Sequence, residues 1–333
     1  MGALGDDTET LGEIYDGRVP VLAARMKASG VTQAFDFPLH FALIESLCGK
    51  QPMNALAAVL AQDRLHARPE NLLTFLDNHD RPRLLSACGD NAKRAHQALS
   101  VLFALRGTPV ITYGTESGLR GAEEPANRAD MRFEPQHPTA RHLRQLVTWR
   151  AQHPVLADGK TTVVEATEHQ LVLLRHAAGE AVLVGINRSA KPHALAGLEL
   201  PQGLAWATKD ATRRVEAFGV RLEPLRIQNG RTFQAWLNKQ HAAKDLEFRL
   251  KAPNQEGELV VVGSAPELGS WQPQNAPKLK RQGDRLVARV RLPGNGVVGF
   301  KVASVEGQEV IWAQGPNHYM QPHHAPKVVE LTW

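Results

Sequence analysis

Apolar runs and helix-like segments alternate over the first 150 residues or so. The apolar runs predict buried strands at 10–15, 33–39, 72–78 and 107–114. The segments between and after them predict helices at 19–30, 53–65, 91–107 and 139–153. In 91–107, for example, Ala95, Leu99 and Leu102 recur at helical spacing and Gly107 ends the repeat. Strands that alternate with helices predict parallel β/α units, of which this part of the chain has four.

Beyond residue 155 the pattern changes to alternating strands separated by turn residues. Residues 161–189 predict three antiparallel strands with a hairpin turn at 176–180, within a small β-sandwich that runs to about Gln240. A polar stretch at 238–245 predicts a linker. A third, all-β unit follows, with strands at 246–252, 257–264, 285–293, 297–304 and 309–315. The predicted division of the chain is therefore 1–153, 154–240 and 244–333.

Composition narrows the class of protein. A chain of 333 residues is too long for one ordinary domain. Its net charge of +5 is scattered, which favours a mixed solvated surface over nucleic-acid binding. No run is long and apolar enough for a membrane span, and the first ten residues lack the features of a signal peptide. Two cysteines, Cys48 and Cys88, allow one bridge or two buried thiols, and the thiols are favoured.

Polar residues cluster at or just beyond the ends of the first four predicted strands. They are Glu13, Asp36, Asn78, His79, Asp80 and Glu116. The carboxyl ends of parallel strands form the edge on which barrel and open-sheet enzymes build their sites. Carboxylates and an imidazole there suit the stabilisation of positive charge and the binding of hydroxyls. For the Asp-Asn-His-Asp segment at 77–80 alone, a capped strand end is an equally good interpretation.

Four ordered motifs decide between these interpretations. "LGEIYDG", "FDFPL", "FLDNHDRPR" and "GTPVITYGTESGLRG" with "NRADMRF" resemble the signature of the α-amylase family, glycoside hydrolase family 13. The resemblance covers about residues 1–150. It implies an α/β fold for residues 1–153, namely the C-terminal half of a (β/α)8 TIM barrel, strands five to eight, and then a β-sandwich C-terminal domain at 154–240.

The resemblance also implies roles for individual residues. Glu13 matches the general acid/base that protonates the glycosidic oxygen and later activates water. Asp80 matches the carboxylate that holds sugar hydroxyls of the distorted substrate, and His79 matches a histidine that hydrogen-bonds the sugar, with Asn78 beside it in substrate binding. Retaining hydrolysis, however, also needs a carboxylate nucleophile. The family carries it in a Gly-x-Arg-x-Asp pattern, which these 333 residues lack, so we expect the chain alone to be inactive.

The last unit resembles a starch-binding domain, carbohydrate-binding module family 20, which implies an immunoglobulin-like β-sandwich at 244–333. The resemblance rests on "GELVVVGSAPELGSWQP", "VVGFKVAS" and "VIWAQGPNH". The family's main starch site then maps to Trp271, Trp312 and Lys301, with Asn317 close by. Indole faces stack on glucose rings, while lysine and asparagine reach the hydroxyls. The stretch "GDRLVARVRLP" lacks an aromatic residue that the family's second site uses.

Taken together, these features predict a starch-degrading hydrolase of α-1,4-glucosidic bonds in truncated form. The alternatives are a non-catalytic starch-binding protein with a remnant barrel and a glucan transglycosylase of the same family. The expected partners are starch, glycogen or related α-glucans, with no nucleic acid and no membrane. No cofactor is expected in this chain, although calcium is implied for the complete enzyme. An extracellular parent enzyme is implied by the family rather than by this N-terminus.

Overall fold

A computed structural model of the protein describes residues 8–195, 197–210, 212–253 and 257–333. Within these residues, the N-terminal unit is built on a four-stranded parallel sheet in the order β1-β2-β3-β4. The strands are Leu11–Gly12, Gln33–Phe35, Leu72–Phe75 and Thr108–Val110. They are shorter than predicted, and in the described part of the chain β1 and β4 are each paired on one side only. The sheet is thus the open half of a barrel, as predicted.

Helices follow the strands of this sheet along the chain. They are α1 (Val19–Ser29), α2 (Phe37–Leu47), α3 (Met53–Leu60), α4 (Leu84–Ala87), α5 (Ala92–Ala104), α6 (Pro138–Gln152) and α7 (Val155–Asp158). The sequence pattern did not predict α2. Its residues are almost uniformly apolar, so no amphipathic period marks it, and it begins where the Asp36 side chain accepts a hydrogen bond from the Leu39 N–H at 3.0 Å.

The second unit is a five-stranded antiparallel sheet with a thin second layer. Its strands are β5 (Lys160–Ala166), β6 (Gln170–Ala177), β7 (Glu180–Asn187), β9 (Leu204–Trp206) and β11 (Gly219–Ile227). The order is β5-β6-β7-β11-β9, and the predicted hairpin joins Ala177 to Glu180. The second layer consists of the ribbon of β8 (His193–Ala194) and β10 (Arg214–Val215) and helix α8 (Gly230–His241). This helix covers residues 238–241, the first half of the stretch predicted as a linker.

The third unit is a sandwich of two sheets, as predicted. One sheet has the order β14-β15-β12-β19, and the other has β13-β16-β17 with β18 also paired to β16. The strands are β12 (Lys244–Lys251), β13 (Glu258–Gly263), β14 (Lys280–Gln282), β15 (Arg285–Leu292), β16 (Val298–Glu306), β17 (Glu309–Trp312), β18 (His318–Met320) and β19 (Val328–Leu331). Phe248, Val261 and Phe300 belong to the core between these sheets.

One apolar core connects all three units. It contains residues of α2, α3 and α5, one face of β6 and β7, and Val297, which immediately precedes β16. The other face of β6 and β7 packs against α8 and the ribbon through a second cluster that includes Val172 and Phe233. Both faces of these two strands are therefore buried, which explains their continuous apolar sequence.

The two cysteines form a disulfide, which corrects the prediction of free thiols. Cys48 ends α2 and Cys88 ends α4, and their Cα atoms lie 4.4 Å apart. Their separation of 40 positions hides this proximity in the sequence. We expect the unfolded, unreduced protein to show no free thiol in a colorimetric titration and two after reduction. Two reactive thiols before reduction would contradict the bond.

Candidate functional sites

The predicted catalytic acid lies at the carboxyl edge of the parallel sheet. Glu13 directly follows β1 and its side chain is exposed. Arg81, in the loop after β3, donates from Nη1 to the Tyr15 hydroxyl at 3.0 Å, so the ends of β1 and β3 are tied together across β2. The structure therefore brings Glu13 to the same edge as the Asn-His-Asp segment, two strands away. It shows no direct contact between Glu13 and Asp80 within the described residues.

Asn78, His79 and Asp80 form a compact turn. The Asn78 side-chain oxygen accepts the Asp80 backbone N–H at 3.0 Å, which is an Asx turn. One Asp80 carboxylate oxygen lies 3.3 Å from His79 Nε2 and 2.7 Å from Arg128 Nη2. His79 and Asp80 are exposed, so both can be reached by a ligand at this edge. Asn78 shapes the turn with its oxygen, while its predicted contact with substrate stays a prediction.

A second segment holds this turn in place, and the sequence analysis gave it no role. Asn127 Nδ2 and Arg128 Nε donate to the His79 carbonyl at 3.0 and 3.1 Å. Asn127 is buried, and Arg128 also pairs with Glu124 at 2.6 Å. Both residues belong to the "NRADMRF" motif. The motif was visible in the sequence, but the positioning role depends on the burial of Asn127 and on a contact 48 positions away, which local sequence does not show.

Asp77 is a buried structural acid rather than a ligand group. Its carboxylate accepts the Thr115 hydroxyl at 2.9 Å and the Leu84 N–H at 2.9 Å, joining the turn after β3 to the segment after β4. Burial raises the pKa of Asp77, against the opposing effect of the nearby Arg83 charge. Glu116 adds to the raised pKa through like-charge repulsion. Burial and these bonds fix the backbone from which Asn78 to Asp80 project.

Asp36 also has a structural role, although its place after β2 suggested chemistry. It caps α2 and its carboxylate lies 2.6 Å from Arg106 Nη1. Both side chains are almost fully buried, so neither can reach a ligand at the edge. The strand-end pattern therefore included Asp36, whose role is structural rather than chemical.

The predicted starch-binding residues share one face of a sheet. Alternate residues of a strand point the same way, so Gly299, Lys301 and Ala303 of β16 lie on one face. Phe300 and Val302 point into the core, which makes this the outer face. Trp312 of β17 is directly opposite Ala303 and therefore projects from the same face beside Lys301. Trp312 is 40% exposed and can present its ring to a ligand.

Trp271 joins this face from a distant turn. Its indole packs against the cluster that contains Val260, Val262 and Ala303. A Cβ at position 299 would lie 3.3 Å from Trp271 Cζ2 and 2.9 Å from Tyr319 Cε1, so glycine is needed there for the two rings to approach β16. Trp271 has φ of +61°, which is rare for a bulky residue and typical of strained positions at ligand sites.

Tyr319 was missed by the sequence analysis. It lies opposite Gly299 on the same outer face, about 13 Å along the strand from the Ala303–Trp312 pair. Asn317 hydrogen-bonds Tyr319, and burial raises the pKa of the tyrosine hydroxyl despite that bond. Lys301 Nζ donates to the Gly315 carbonyl at 2.5 Å, so the predicted ligand residue also holds the turn that carries Asn317. The face thus has aromatic rings at both ends and an ammonium group between them.

Comparison with known proteins agrees with this geometry. Residues 1–170, just over half of the chain, match the family described as alpha amylase, catalytic domain. The chain belongs to the α-amylase family. Residues 245–332 match the starch binding domain family. The parallel half-barrel of this α-amylase-family chain and its C-terminal sandwich therefore agree with the resemblances found in the sequence.

Relatives with different named activities are similar to this α-amylase-family chain. The chain is 26% identical to maltogenic alpha-amylase of Bacillus acidopullulyticus over 258 residues, which cover 74% of the chain and 41% of the relative. It is 36% identical to cyclomaltodextrin glucanotransferase of Paenibacillus macerans over 137 residues, which cover 40% of the chain and 19% of the relative. A solved γ-cyclomaltodextrin glucanotransferase from alkalophilic Bacillus clarkii aligns with 98% of this chain and with 64% of its own length. The TM-score is 0.57 and the sequence identity is 19%, so this similarity is one of fold.

The chain spans less than half the length of these two curated relatives. Among the described residues, no three His, Cys, Asp or Glu side chains converge to hold a metal ion. In the same described ranges, no helix is both long and apolar enough to cross a bilayer. The chemistry available in this structure is that of an exposed acid and turn at one edge and an aromatic, basic face on the starch-binding domain.

Proposed function

We propose that this chain is an α-glucan-binding member of the α-amylase family that binds starch through its C-terminal domain and is catalytically inactive on its own. The observation that carries the proposal is the shared outer face of Trp271, Lys301 and Trp312. Glucose rings have apolar faces that stack on indoles, and the hydroxyls at their edges bind lysine and amide groups. This one face offers both kinds of group.

In a complete family enzyme, the same chain supplies part of the catalytic machinery. Glu13 would protonate the glycosidic oxygen of an α-1,4 bond and then activate water, with retention of configuration. Asp80 and His79 would hold sugar hydroxyls beside it. The turn geometry supports these roles because Asn127 and Arg128 fix the His79 backbone while both side chains stay exposed.

A transglycosylase is the second candidate for the complete enzyme. The observation in its favour is the 36% identity over 137 residues to a cyclomaltodextrin glucanotransferase. Hydrolysis and glucan transfer share the covalent intermediate and differ in whether water or a sugar hydroxyl attacks it. Residues that bind the acceptor decide between them. A non-catalytic starch-binding protein with a remnant barrel is the third alternative, and it shares the binding test below.

Trp312→Ala is expected to weaken adsorption to granular starch about tenfold, or about 1.4 kcal/mol, because it removes one stacking ring. Trp271→Ala should do the same. The measurement is the depletion of protein from solution over a range of starch concentrations. Ile311→Ala is the matched control, since Ile311 is exposed, adjacent, and points to the other face opposite Ser304. Equal adsorption by all the variants would refute the site.

A further inference from the structure

A cavity lies where the starch-binding face meets the barrel. It has a volume of about 270 Å³ and is bounded by α1, α2 and α3 on one side and the starch-binding domain on the other. The residues that matter for the argument are Trp271, Asn317 and Tyr319 from the domain and Glu45, Gln51 and Gln62 from the barrel side. The volume is just below the roughly 300–1,000 Å³ of sites for drug-sized ligands, which suits one sugar unit.

The two walls of the cavity are fixed to each other. Arg64 Nη2 lies 2.9 Å from both carboxylate oxygens of Glu267, across the junction. A side chain at Gly296 would collide with Ala61, so the backbones approach closely there. Val297 is buried in the same core as α3. The cavity is therefore a feature of a packed junction between the two units.

The aromatic end of the starch-binding face opens onto this cavity. Along β16 the face runs from Trp312, past Lys301, to the rings of Trp271 and Tyr319 over Gly299. Those two rings, with Asn317, also line the cavity. A glucan chain stacked along the face toward Trp271 therefore reaches the barrel helices rather than open solvent.

The barrel wall carries polar groups that are available to a sugar. Glu45 is exposed, and its carboxylate makes no ion pair or hydrogen bond within the described part of the chain. Gln62 is only 7% exposed and its Oε1 has no hydrogen-bond partner there, although its Nε2 donates to the Ala58 carbonyl at 3.1 Å. Gln51 is exposed and lines the same wall. Carboxylate and amide groups beside aromatic rings are the combination that recognises sugar hydroxyls.

We propose that the barrel fragment completes one end of the starch site. A glucosyl unit beyond Trp271 enters the cavity and donates hydroxyl hydrogen bonds to Glu45, while Gln51 contributes a second polar contact. The site is thus shared between two units of the chain and recognises a run of α-linked glucose longer than the outer face alone would hold. This inference rests on the proposed function, because it extends the same starch site.

The test measures maltoheptaose binding to the full chain by calorimetry. Glu45→Ala is expected to raise Kd about tenfold, since it removes a charge-assisted hydrogen bond. Glu45→Gln should raise it less, because an amide oxygen still accepts, and Gln51→Ala should have a smaller effect in the same direction. Glu199→Ala is the matched control, as Glu199 is an exposed glutamate on the second unit with no ion pair in the described residues.

Trp312→Ala, measured in the same series, separates the two proposals. If Trp312→Ala weakens binding while Glu45→Ala and Gln51→Ala match the Glu199→Ala control, the shared site is wrong and the starch-binding face stands. If Trp312→Ala also has no effect, the proposed function itself fails. Unchanged thermal melting of the Glu45 and Gln51 variants would show that the altered affinity does not come from unfolding.

Discussion

Residues 1–333, purified, are expected to release no reducing sugar from soluble starch above background, and Glu13→Gln should leave that background unchanged. The reason is the missing nucleophile. A retaining glycosidase needs two carboxylates about 5–5.5 Å apart around the sugar. Glu13 follows β1, while Asp80 follows β3, about 10 Å away if neighbouring strands are spaced by about 4.8 Å. The resemblance also predicts that Asp80 binds sugar hydroxyls rather than acting as the nucleophile.

The expected loss of activity is large, because the groups of a covalent mechanism act together and the loss of one disables the reaction. In a hydrolase of another class, removal of the nucleophile lowers kcat on the order of 10⁶-fold. The assay therefore needs a complete α-amylase as positive control and starch adsorption on the same sample to show that the chain is folded. Sugar release that Glu13→Gln abolishes would contradict the prediction, and would mean that another carboxylate of this chain acts as nucleophile.

The edge of the half-barrel could be predicted because its motifs are local. Glu13 and Asp80 each follow an apolar strand, and parallel strands bring their carboxyl ends to one edge. Local sequence also fixes the pair of Lys301 and Trp312, since the β16–β17 hairpin sets the register. In both cases, periodicity and a short turn determine which side chains meet.

Other features depend on contacts that local sequence does not encode. Tyr319 and Trp271 meet over Gly299 through a strand pairing and a turn that are far apart in the chain. Cys48 and Cys88 meet because two helix ends converge. Asp36 looked like a site residue, but its position after a strand equally suits a helix cap, and only the fold places Arg106 against it. An acidic residue at the end of a strand can therefore be assigned to a site or to the fold only when its basic partner is known.

Arg106→Met is expected to lower the free energy of unfolding of the barrel unit by about 3–5 kcal/mol. Arg106 lies between α5 and β4, and its side chain is 4% exposed. It binds two carboxylates at once: Asp36 at 2.6 Å through Nη1 and Asp63 at 2.5 Å through Nη2. Its loss leaves both carboxylates poorly solvated and without this cation, which costs far more than a lost surface pair. Urea denaturation of the variant and the parent measures the difference.

A control variant separates this electrostatic cost from lost packing. The triple variant Asp36→Asn, Asp63→Asn, Arg106→Met removes all three charges and keeps an N-cap residue on α2, so it should recover most of the lost stability. A deficit that persists in the triple variant would mean that Arg106 stabilises the fold by packing rather than by charge.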